Sequence, residues 1–388
     1  MISVSEALDR LFALAPVLPC EEVPLIRAAG RVMRASVTAR RDQPPFPASA
    51  MDGYGVAEAA PGMVFDVVGE SAAGARFEGR VKAGQAVRIF TGAPVPAGVK
   101  TVVIQEDVDR SGDRITITDR LGKGDNIRPC GTDFRDGSRF EAPRLLRPRD
   151  VALLASMNVP RVQVARRPRV AIITTGDELV MPGEAPGPDQ IIASNTFGLH
   201  ALLSQLGAEP RLLPIARDNA DSLRTVLDLA DDADLVVTIG GASVGDHDIV
   251  ALLAEEMGLE RAFHKVAMRP GKPLMSGKLG RAMMIGLPGN PVSAMVCGYV
   301  FIAPVINAML GLPAAPAARE QSVLTAPLDA NGPREHYMRA RRTGAGVAAF
   351  ERQDSSLLSV LGEADALIVR PPNDPARTAG DRVEIVSL

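Results

Sequence analysis

The sequence predicts a multidomain α/β protein with a three-layer α/β/α central domain, a parallel-rich central sheet, and further β-rich domains. Its 388 residues suffice for two to four domains that each bury a core. Between 169 and 289, apolar strands, glycine turns and helical segments alternate, which is typical of a parallel sheet covered on both faces. On either side, short runs of Val, Ile and Thr between glycine and proline turns indicate compact β structure.

The N-terminal part begins with helical spacing of apolar residues over 3–15 and then becomes extended, because the prolines at 44, 45 and 47 forbid a helix. Short β runs fill 62–140, and a helix is predicted over 148–158. Together with a β-rich tail after a linker near 311, these features predict four domains. They are an elongated discontinuous linker domain (1–45 with 139–167), a β-rich domain (46–138), an α/β domain (168–312) and a small C-terminal β-barrel-like domain (313–388).

Within the α/β domain the first strand is the apolar RVAIITTG, and the first helix covers 194–208. Ser194 or Asn195 is its expected cap and Gly207 its expected end. A later stretch carries no charge between Pro291 and Ala318 and is long enough to cross a bilayer. Because Pro304 interrupts it and a Pro-Gly-Asn-Pro turn opens it, a buried core helix is predicted, and no membrane partner.

Composition narrows the function. Hydrophobic residues make up 46% and charged residues 23%, as in folded globular proteins, and a net charge of −3 gives no global field for nucleic acid. The three cysteines are too far apart for a CxxC pair, and no secretory leader is readable, so a cytoplasmic protein is expected. The phosphate-loop, HExxH, GxSxG and well-placed GxGxxG motifs do not occur, which weakens the common NTPase, zinc peptidase, hydrolase and NAD enzyme classes.

Three loops are expected at the carboxyl edge of the sheet, where α/β proteins bind ligands. The first carries Asp177 and Glu178. The second is rich in glycine and acids, which suit phosphate and a divalent cation; its candidates are Gly240, Gly241, Ser243, Asp246 and Asp248. Ordinary βα turns with solvated acids are the alternative.

The third loop, HKVAMRPGKPLMSGK, holds three of the chain's six lysines. The three lysines and one arginine are cationic candidates for a tetrahedral oxyanion, although a solvated basic turn is the alternative; they are Lys265, Arg269, Lys272 and Lys278. The following GLPGNPVSA, with Pro288 and Pro291, is either a structural turn or an anion site at a helix N-terminus.

Further clusters lie outside this domain. Asp52 and Thr91 sit in proline-stiffened turns, and Arg128 and Asp133 form either a site or a simple loop ion pair. The segment REHYMRARR, with Arg339 among four arginines, is either an anion patch or a solvated strand edge. Together these residues predict an enzyme or a binder that uses carboxylates, a divalent cation and Lys/Arg on an anionic, phosphate-bearing small molecule.

The motifs SAMDGYG, TGAPVPAG, NIRPCGTD, TTGDEL, GGASVGDHD, PGKP and LPGNPVSA together resemble the molybdopterin molybdenumtransferase family of the MoeA type, in the family's order and over almost the whole chain. The resemblance implies insertion of molybdate into adenylylated molybdopterin, with molybdenum cofactor and AMP as products. It also implies Mg²⁺ as the cation and a homodimer whose active site combines the α/β domain of one subunit with the first β domain of the other. Transient partners would be the molybdopterin adenylyltransferase and downstream cofactor-processing proteins.

The resemblance also assigns roles residue by residue. Glu178, Asp218 and Asp248 are assigned to the metal, while Asp52, Thr91 and Lys265 join Glu178 and Asp248 as catalytic residues. Molybdate is assigned to Arg269, Lys272, Arg339 and Ser355. Two departures concern this pocket, because many relatives have lysine at 269 and a glycine-serine pair where Asp354-Ser355 stands here. A non-catalytic molybdopterin carrier or scaffold is the alternative function.

Overall fold

The computed structural model describes residues 1–241 and 249–388, with only the backbone of Ile249. The chain divides into two compact units, one formed by Glu22–Val164 and the other by Met1–Glu21 with Ala165–Leu388. The first helix, α1 (Val4–Leu14), begins at Ser3, whose hydroxyl accepts the Glu6 N–H. The finer four-domain division stays a prediction.

The Glu22–Val164 unit is built almost entirely of short strands around apolar cores. Its largest sheet has six strands in the order β8-β5-β7-β6-β10-β9, and a four-stranded sheet has the order β1-β14-β2-β13. The latter joins residues from both ends of the unit. The elements are β1 (Cys20–Pro24), β2 (Val32–Met33), β3 (Val37–Thr38), β4 (Ala48–Ser49), β5 (Gly53–Val56), β6 (Val64–Ser71), β7 (Gln85–Ile89), β8 (Thr101–Ile104), β9 (Val108–Ser111), β10 (Arg114–Ile117), β11 (Ile127–Arg128), β12 (Arg139–Phe140), β13 (Arg144–Leu145), helix α2 (Pro148–Ser156) and β14 (Arg161–Ala165).

The second unit contains the predicted α/β alternation. Its elements are β15 (Arg169–Thr174), β16 (Leu179–Val180), β17 (Ile191–Ile192), α3 (Asn195–Gln205), β18 (Glu209–Leu212), α4 (Ala220–Asp228), β19 (Leu235–Ile239), α5 (Ile249–Glu256), β20 (Leu259–Phe263), β21 (Met268–Arg269), β22 (Met275–Leu279), β23 (Ala282–Leu287), α6 (Pro291–Cys297) and α7 (Ala303–Met309).

The α/β sheet has the order β18-β15-β19-β23-β22-β20. The first four strands are parallel, with Ile172 beside Val237 and Val237 beside Ile285, whereas β22 runs antiparallel to both its neighbours. The predicted parallel-rich sheet is confirmed, but the prediction of one long basic loop before β23 is wrong. Part of that segment pairs its backbone with β23, because a strand satisfies its N–H and C=O groups where an irregular loop would not.

Ser194 is the N-cap residue of α3, one of the two positions expected, but its side chain makes no capping hydrogen bond. The Asn195 side chain donates to the Gly289 carbonyl oxygen at 2.7 Å instead. Another local expectation is wrong. Pro304 does not interrupt the apolar helix. A π turn over Gly298–Ile302 precedes it, and such a wider turn accommodates a proline that an ordinary α-helical turn would not.

The apolar segment forms one continuous helix, Pro291–Met309, the one helix in the described residues that is long and apolar enough to cross a membrane. Most of it, 78% of its apolar window, is buried in the protein. The predicted core helix is therefore confirmed.

The C-terminal part forms a β sheet in the order β21-β25-β27-β28-β24, with β26 on the other side of β25. A bridge from Leu324 to Val347 links β24 to β26, so the sheet closes on itself. Strand β21 comes from the α/β region and pairs in parallel with β25. The elements are β24 (Glu320–Val323), β25 (Glu335–Thr343), β26 (Gly346–Ala349), α8 (Leu358–Gly362), β27 (Ala366–Arg370) and β28 (Arg382–Ser387).

Candidate functional site

A cavity of about 880 Å³ opens at the carboxyl ends of β15, β19 and β23. The described residues place five of the candidates named from the sequence on its wall, namely Glu178, Gly240, Gly241, Pro288 and Pro291, together with the metal candidate Asp218. Candidates from separate loops therefore share one hollow because parallel strands end at the same sheet edge.

Glycine is required at the tip of β19. Gly240 and Gly241 have φ values of 88° and 67°, and a Cβ atom on Gly241 would lie 2.2 Å from a methyl group of Val250. A Cβ atom on Gly240 would approach the Thr175 carbonyl oxygen to 2.8 Å. The backbone at Gly240 and Gly241 is thus accessible from the cavity without intervening side chains, as close binding of a phosphate requires.

Thr175, on the opposite side of this close approach, was not predicted from the sequence. Its buried hydroxyl oxygen makes no hydrogen bond within the described residues. A buried polar atom normally has a partner, so this hydroxyl is available to a group bound in the cavity.

The acidic residues at the cavity differ in whether their carboxylates form hydrogen bonds. Asp177 Oδ1 accepts the Asp218 N–H at 3.2 Å, and Arg217 donates to the Asp177 carbonyl at 3.1 Å, so these loops are tied together. The Glu178 and Asp218 carboxylates are exposed and make no hydrogen bond or ion pair within residues 1–241 and 249–388.

This donor set fits Mg²⁺, which proteins commonly hold through one or two carboxylates plus substrate phosphates. No group of three or more His, Cys, Asp and Glu side chains arranged for a metal occurs in the part of the chain that the structure describes. The third metal candidate, Asp248, lies outside the described residues, as do Ser243 and Asp246.

The basic candidates separate into two sets. Strand β21 places Arg269 beside His336 of β25, so this arginine joins the C-terminal sheet. Lys265, Arg269 and Lys272 form no ion pair in the described structure, which leaves their charges uncompensated. Lys278 does not belong with them. It lies in β22 opposite Glu260, three residues beyond the strand's start at the cavity edge.

Arg339 is the most buried of these cations, with 1% of its surface exposed. Its Nη1 donates to the Asp354 carbonyl oxygen at 2.8 Å. Next along the chain, Ser355 Oγ accepts a hydrogen bond from Asn290 Nδ2 at 3.2 Å, and Ser356 lines the cavity. Residues 354–356 thus connect Arg339 to the cavity wall that carries Glu178.

The other arginines of REHYMRARR serve the fold. Arg341 pairs with Glu363 at 2.6 Å and Arg342 with Glu320 at 3.0 Å, both exposed. These two side chains are therefore solvated, as that alternative expects, although β25 is not an edge strand because it pairs with both β26 and β27. The alternative is wrong for the buried Arg339.

His336 lies among four arginines, here called the cationic cluster. Burial, with the positive charges of Arg269, Arg370, Arg339 and Arg334, lowers its pKa to about 4. The imidazole is therefore neutral at physiological pH and adds no charge to the cluster.

In the Glu22–Val164 unit, Asp52 and Thr91 are in direct contact. Asp52 Oδ1 accepts the Thr91 backbone N–H and the Thr91 hydroxyl, each at 2.7 Å. These hydrogen bonds, more than the nearby Arg88, lower the pKa of Asp52. The exposed carboxylate is thus fixed in its charged form on the loop between β4 and β5.

Arg128 and Asp133 form no ion pair with each other in the described residues, so the loop ion pair expected as an alternative is wrong. Arg128 belongs to β11, opposite Ala48 of β4, four residues before Asp52. The Asp133 N–H donates to the Gln43 carbonyl oxygen. Both side chains are exposed.

Fold and site together define a multidomain α/β protein with a carboxylate-lined cavity and several cations, among them Arg269, Lys272 and Arg339, that form no ion pair in the described residues. Three family models match it in order: the MoeA N-terminal region (domain I and II) at 2–158, the probable molybdopterin binding domain at 171–308, and the MoeA C-terminal region (domain IV) at 321–388.

Full-length similarity gives the same result. The molybdopterin molybdenumtransferase of Nostoc sp. is 34% identical over all of this chain and 94% of its own length, and that of Haemophilus influenzae is 35% identical over 80% and 78%. The crystal structure of a molybdopterin biosynthesis MoeA protein from Pyrococcus horikoshii has a TM-score of 0.82 at 27% identity, covering 100% of this chain and 99% of that one. The chain belongs to the molybdopterin molybdenumtransferase family.

Proposed function

We propose that this protein inserts molybdate into adenylylated molybdopterin, releasing AMP and giving molybdenum cofactor, in a Mg²⁺-dependent reaction. Family membership supports a transferase that acts on molybdopterin. The observation that carries the finer proposal is the segment 353–356. It connects buried Arg339, through Ser355 and Asn290, to the cavity that carries Glu178.

On the acidic wall, Glu178 and Asp218 are proposed to hold Mg²⁺, together with Asp248. The bound ion would supply neutralisation of phosphate charge. The backbone bared at Gly240 and Gly241 accommodates phosphate oxygens at short range. Pro288 and Pro291 line the same cavity, and Ser243 and Asp246 are assigned to the substrate from their sequence position.

On the cationic side, molybdate is a tetrahedral dianion and needs uncompensated positive charge. Arg269, Lys272 and Arg339 provide it, with Ser355 as a neutral hydrogen-bond donor. Lys265, half-buried and without an ion pair in the described residues, is assigned to the phosphates.

The proposed active form is a homodimer in which Asp52, Thr91, Arg128 and Asp133 of one subunit serve the α/β unit of its partner. The proposed location is the cytoplasm, which is compatible with three cysteines that form no disulfide. Transient contact with the molybdopterin adenylyltransferase and downstream cofactor-processing proteins is part of the same proposal.

The test supplies purified protein with Mg²⁺, adenylylated molybdopterin and molybdate, and measures AMP and the reactivation of a cofactor-free molybdoenzyme. Glu178→Gln should lower AMP release by about a hundredfold, the scale of losing a charge-stabilising group. The exposed Asp189→Asn serves as matched control and should change nothing.

Cofactor formed equally fast without the protein would contradict the proposal. Asp52→Ala separates an enzyme from a carrier: an enzyme loses turnover and keeps molybdopterin binding. A carrier has no turnover to lose.

A further inference from the structure

The side-chain amide of Gln353 forms four hydrogen bonds, three with Arg339 and one with Phe350. Its Oε1 accepts the Arg339 backbone N–H at 3.0 Å and the Arg339 Nε–H at 3.3 Å. Its Nε2 donates to the carbonyl oxygens of Arg339, at 2.9 Å, and Phe350, at 2.7 Å. One amide therefore fixes both the backbone and the guanidinium of the same arginine.

The acceptors around this guanidinium are all neutral. Nε donates to an amide and Nη1 to a carbonyl, while Nη2 donates no hydrogen bond within the described residues. A buried cation is normally paired with an acid, so this arrangement departs from the usual pattern.

The nearest acid is engaged elsewhere. The Asp354 carboxylate accepts the Ser356 N–H at 2.8 Å and the Ser356 hydroxyl at 2.6 Å, and forms no ion pair with Arg339. These bonds lower the pKa of Asp354 and hold its charge in a local turn. The carboxylate of the aspartate that departs from the family's glycine therefore makes no direct contact with the Arg339 guanidinium, and its charge acts on Arg339 only from a distance.

We infer that Gln353 is a positioning residue for molybdate binding: it orients the guanidinium of Arg339 without neutralising it. The inference rests on the proposed function, since Arg339 is assigned there to molybdate. A glutamate at 353 would satisfy the same Nε–H but would cancel the charge, whereas glutamine supplies geometry alone.

The test is a double-mutant cycle on molybdate affinity, measured by calorimetry at constant pH and salt. Gln353→Met keeps the length of the side chain and removes its hydrogen bonds. It should weaken molybdate binding by about tenfold, the scale of a disordered charged hydrogen bond. In an Arg339→Lys background the same change should cost less than about twofold, because the guanidinium through which it acts is gone. The exposed Gln321→Met is the matched control.

Kinetics distinguish positioning from general damage. Gln353→Met should raise the KM for molybdate by about the same tenfold factor and leave kcat at saturating molybdate nearly unchanged. Equal losses of affinity in both backgrounds, or a loss of kcat alone, would overturn the inference.

A measurement on the wild type keeps the test valid if Gln353→Met fails to fold. In protein labelled with ¹⁵N-arginine, the Arg339 Nε–H resonance, assigned by its loss in Arg339→Lys, should exchange slowly with solvent and shift when molybdate is added. Fast exchange of this proton contradicts the role of Gln353 alone. Wild-type protein that binds no molybdate contradicts the proposed function itself.

Discussion

Arg339 and Arg370 lie on adjacent strands of one sheet, are equally buried with 1% exposed, and are held in opposite ways. Arg370 forms an ion pair with the buried carboxylate of Asp374 and donates to the Pro375 carbonyl oxygen at 2.7 Å. Arg339 is held by an amide and a carbonyl. A buried cation that meets an acid has its charge compensated within the fold. One held by neutral acceptors keeps an uncompensated charge, as the proposed molybdate site needs.

The same distinction holds elsewhere in the molecule. Arg166 makes two hydrogen bonds to Asp234, the residue before β19, and forms a paired charge with a structural role. In the Glu22–Val164 unit, Asp52 is held by the neutral N–H and hydroxyl of Thr91. Neutral support of a charge therefore marks candidates for function in both compact units.

Arg370→Met should produce the largest effect on stability. It removes the buried one of the two arginines that pair with Asp374, and breaking a buried pair costs about 3–5 kcal/mol. We expect the lower end, because Arg377 still donates to Asp374 at 2.6 Å. Urea unfolding followed by circular dichroism measures the loss. The double variant Arg370→Met with Asp374→Leu should recover part of it, and a single variant as stable as wild type would refute the structural role.

Arg339→Met should have the opposite pattern of effects: a large loss of molybdate affinity and a small loss of stability. Molybdate affinity should fall by about a hundredfold, the scale of losing hydrogen bonds from a charged group. The free energy of unfolding should change by less than about 1 kcal/mol, because no buried acid loses its partner. Calorimetry and urea unfolding of the same preparation check both. If this variant is destabilised as much as Arg370→Met, the contrast between the two arginines disappears.

The pKa of His336 is lowered by burial and by the positive charges around it, which include both arginines. Its folded pKa of about 4 lies below the ordinary value of 6.5, so the unfolded chain binds the proton more tightly. Stability from this histidine is complete above pH 6.5 and is lost as pH falls toward 4. By pH 5 the loss is about 2 kcal/mol from linkage.

His336→Gln should flatten the pH dependence of unfolding between pH 6.5 and 4. Urea unfolding at several pH values measures it, with His200→Gln as the control on helix α3. A variant whose stability keeps the wild-type pH slope would show that burial and the cationic neighbours do not hold His336 neutral.

Much of the fold could be predicted because its determinants are local. Apolar periodicity and turn residues give α1, α2 and the parallel strands. Strand β22 could not be predicted, since Ser276, Gly277 and Lys278 carry no strand pattern and pair only because β23 lies beside them. The absence of a side-chain cap at α3 could not be predicted for a similar reason, because Asn195 donates to the carbonyl oxygen of Gly289, which is distant in sequence.

The candidate site divides in the same way. Residue types point to Glu178 and Arg269 from sequence, but they do not select Arg339 over Arg341, two positions along one strand; only the family resemblance assigned molybdate to Arg339. That choice depends on residues far along the chain: Gln353 beneath one arginine and Glu363 beside the other. Gln353 itself carries no motif beyond its position next to Asp354-Ser355, so sequence reasoning missed it.

Thr91→Val should produce the smallest effect and extends the comparison to an acid. The variant removes the hydroxyl donor to Asp52 and keeps the backbone N–H, so the pKa of Asp52 should rise toward 3.8 without reaching it. The folded pKa of Asp52 is lowered, so its contribution to stability is present above the unfolded value and is lost as pH falls through the folded one, below about pH 4.

Carboxyl carbon NMR between pH 2 and 5 measures the Asp52 titration directly, and Thr101→Val on β8, whose hydroxyl makes no hydrogen bond within the described residues, is the matched control. Turnover near neutral pH should fall by less than about tenfold, since one hydrogen bond to a charged group remains. An unchanged Asp52 titration in Thr91→Val would mean that the hydroxyl does not hold this charge. The rule that neutral hydrogen-bond partners support a functional charge would then apply to Arg339 alone.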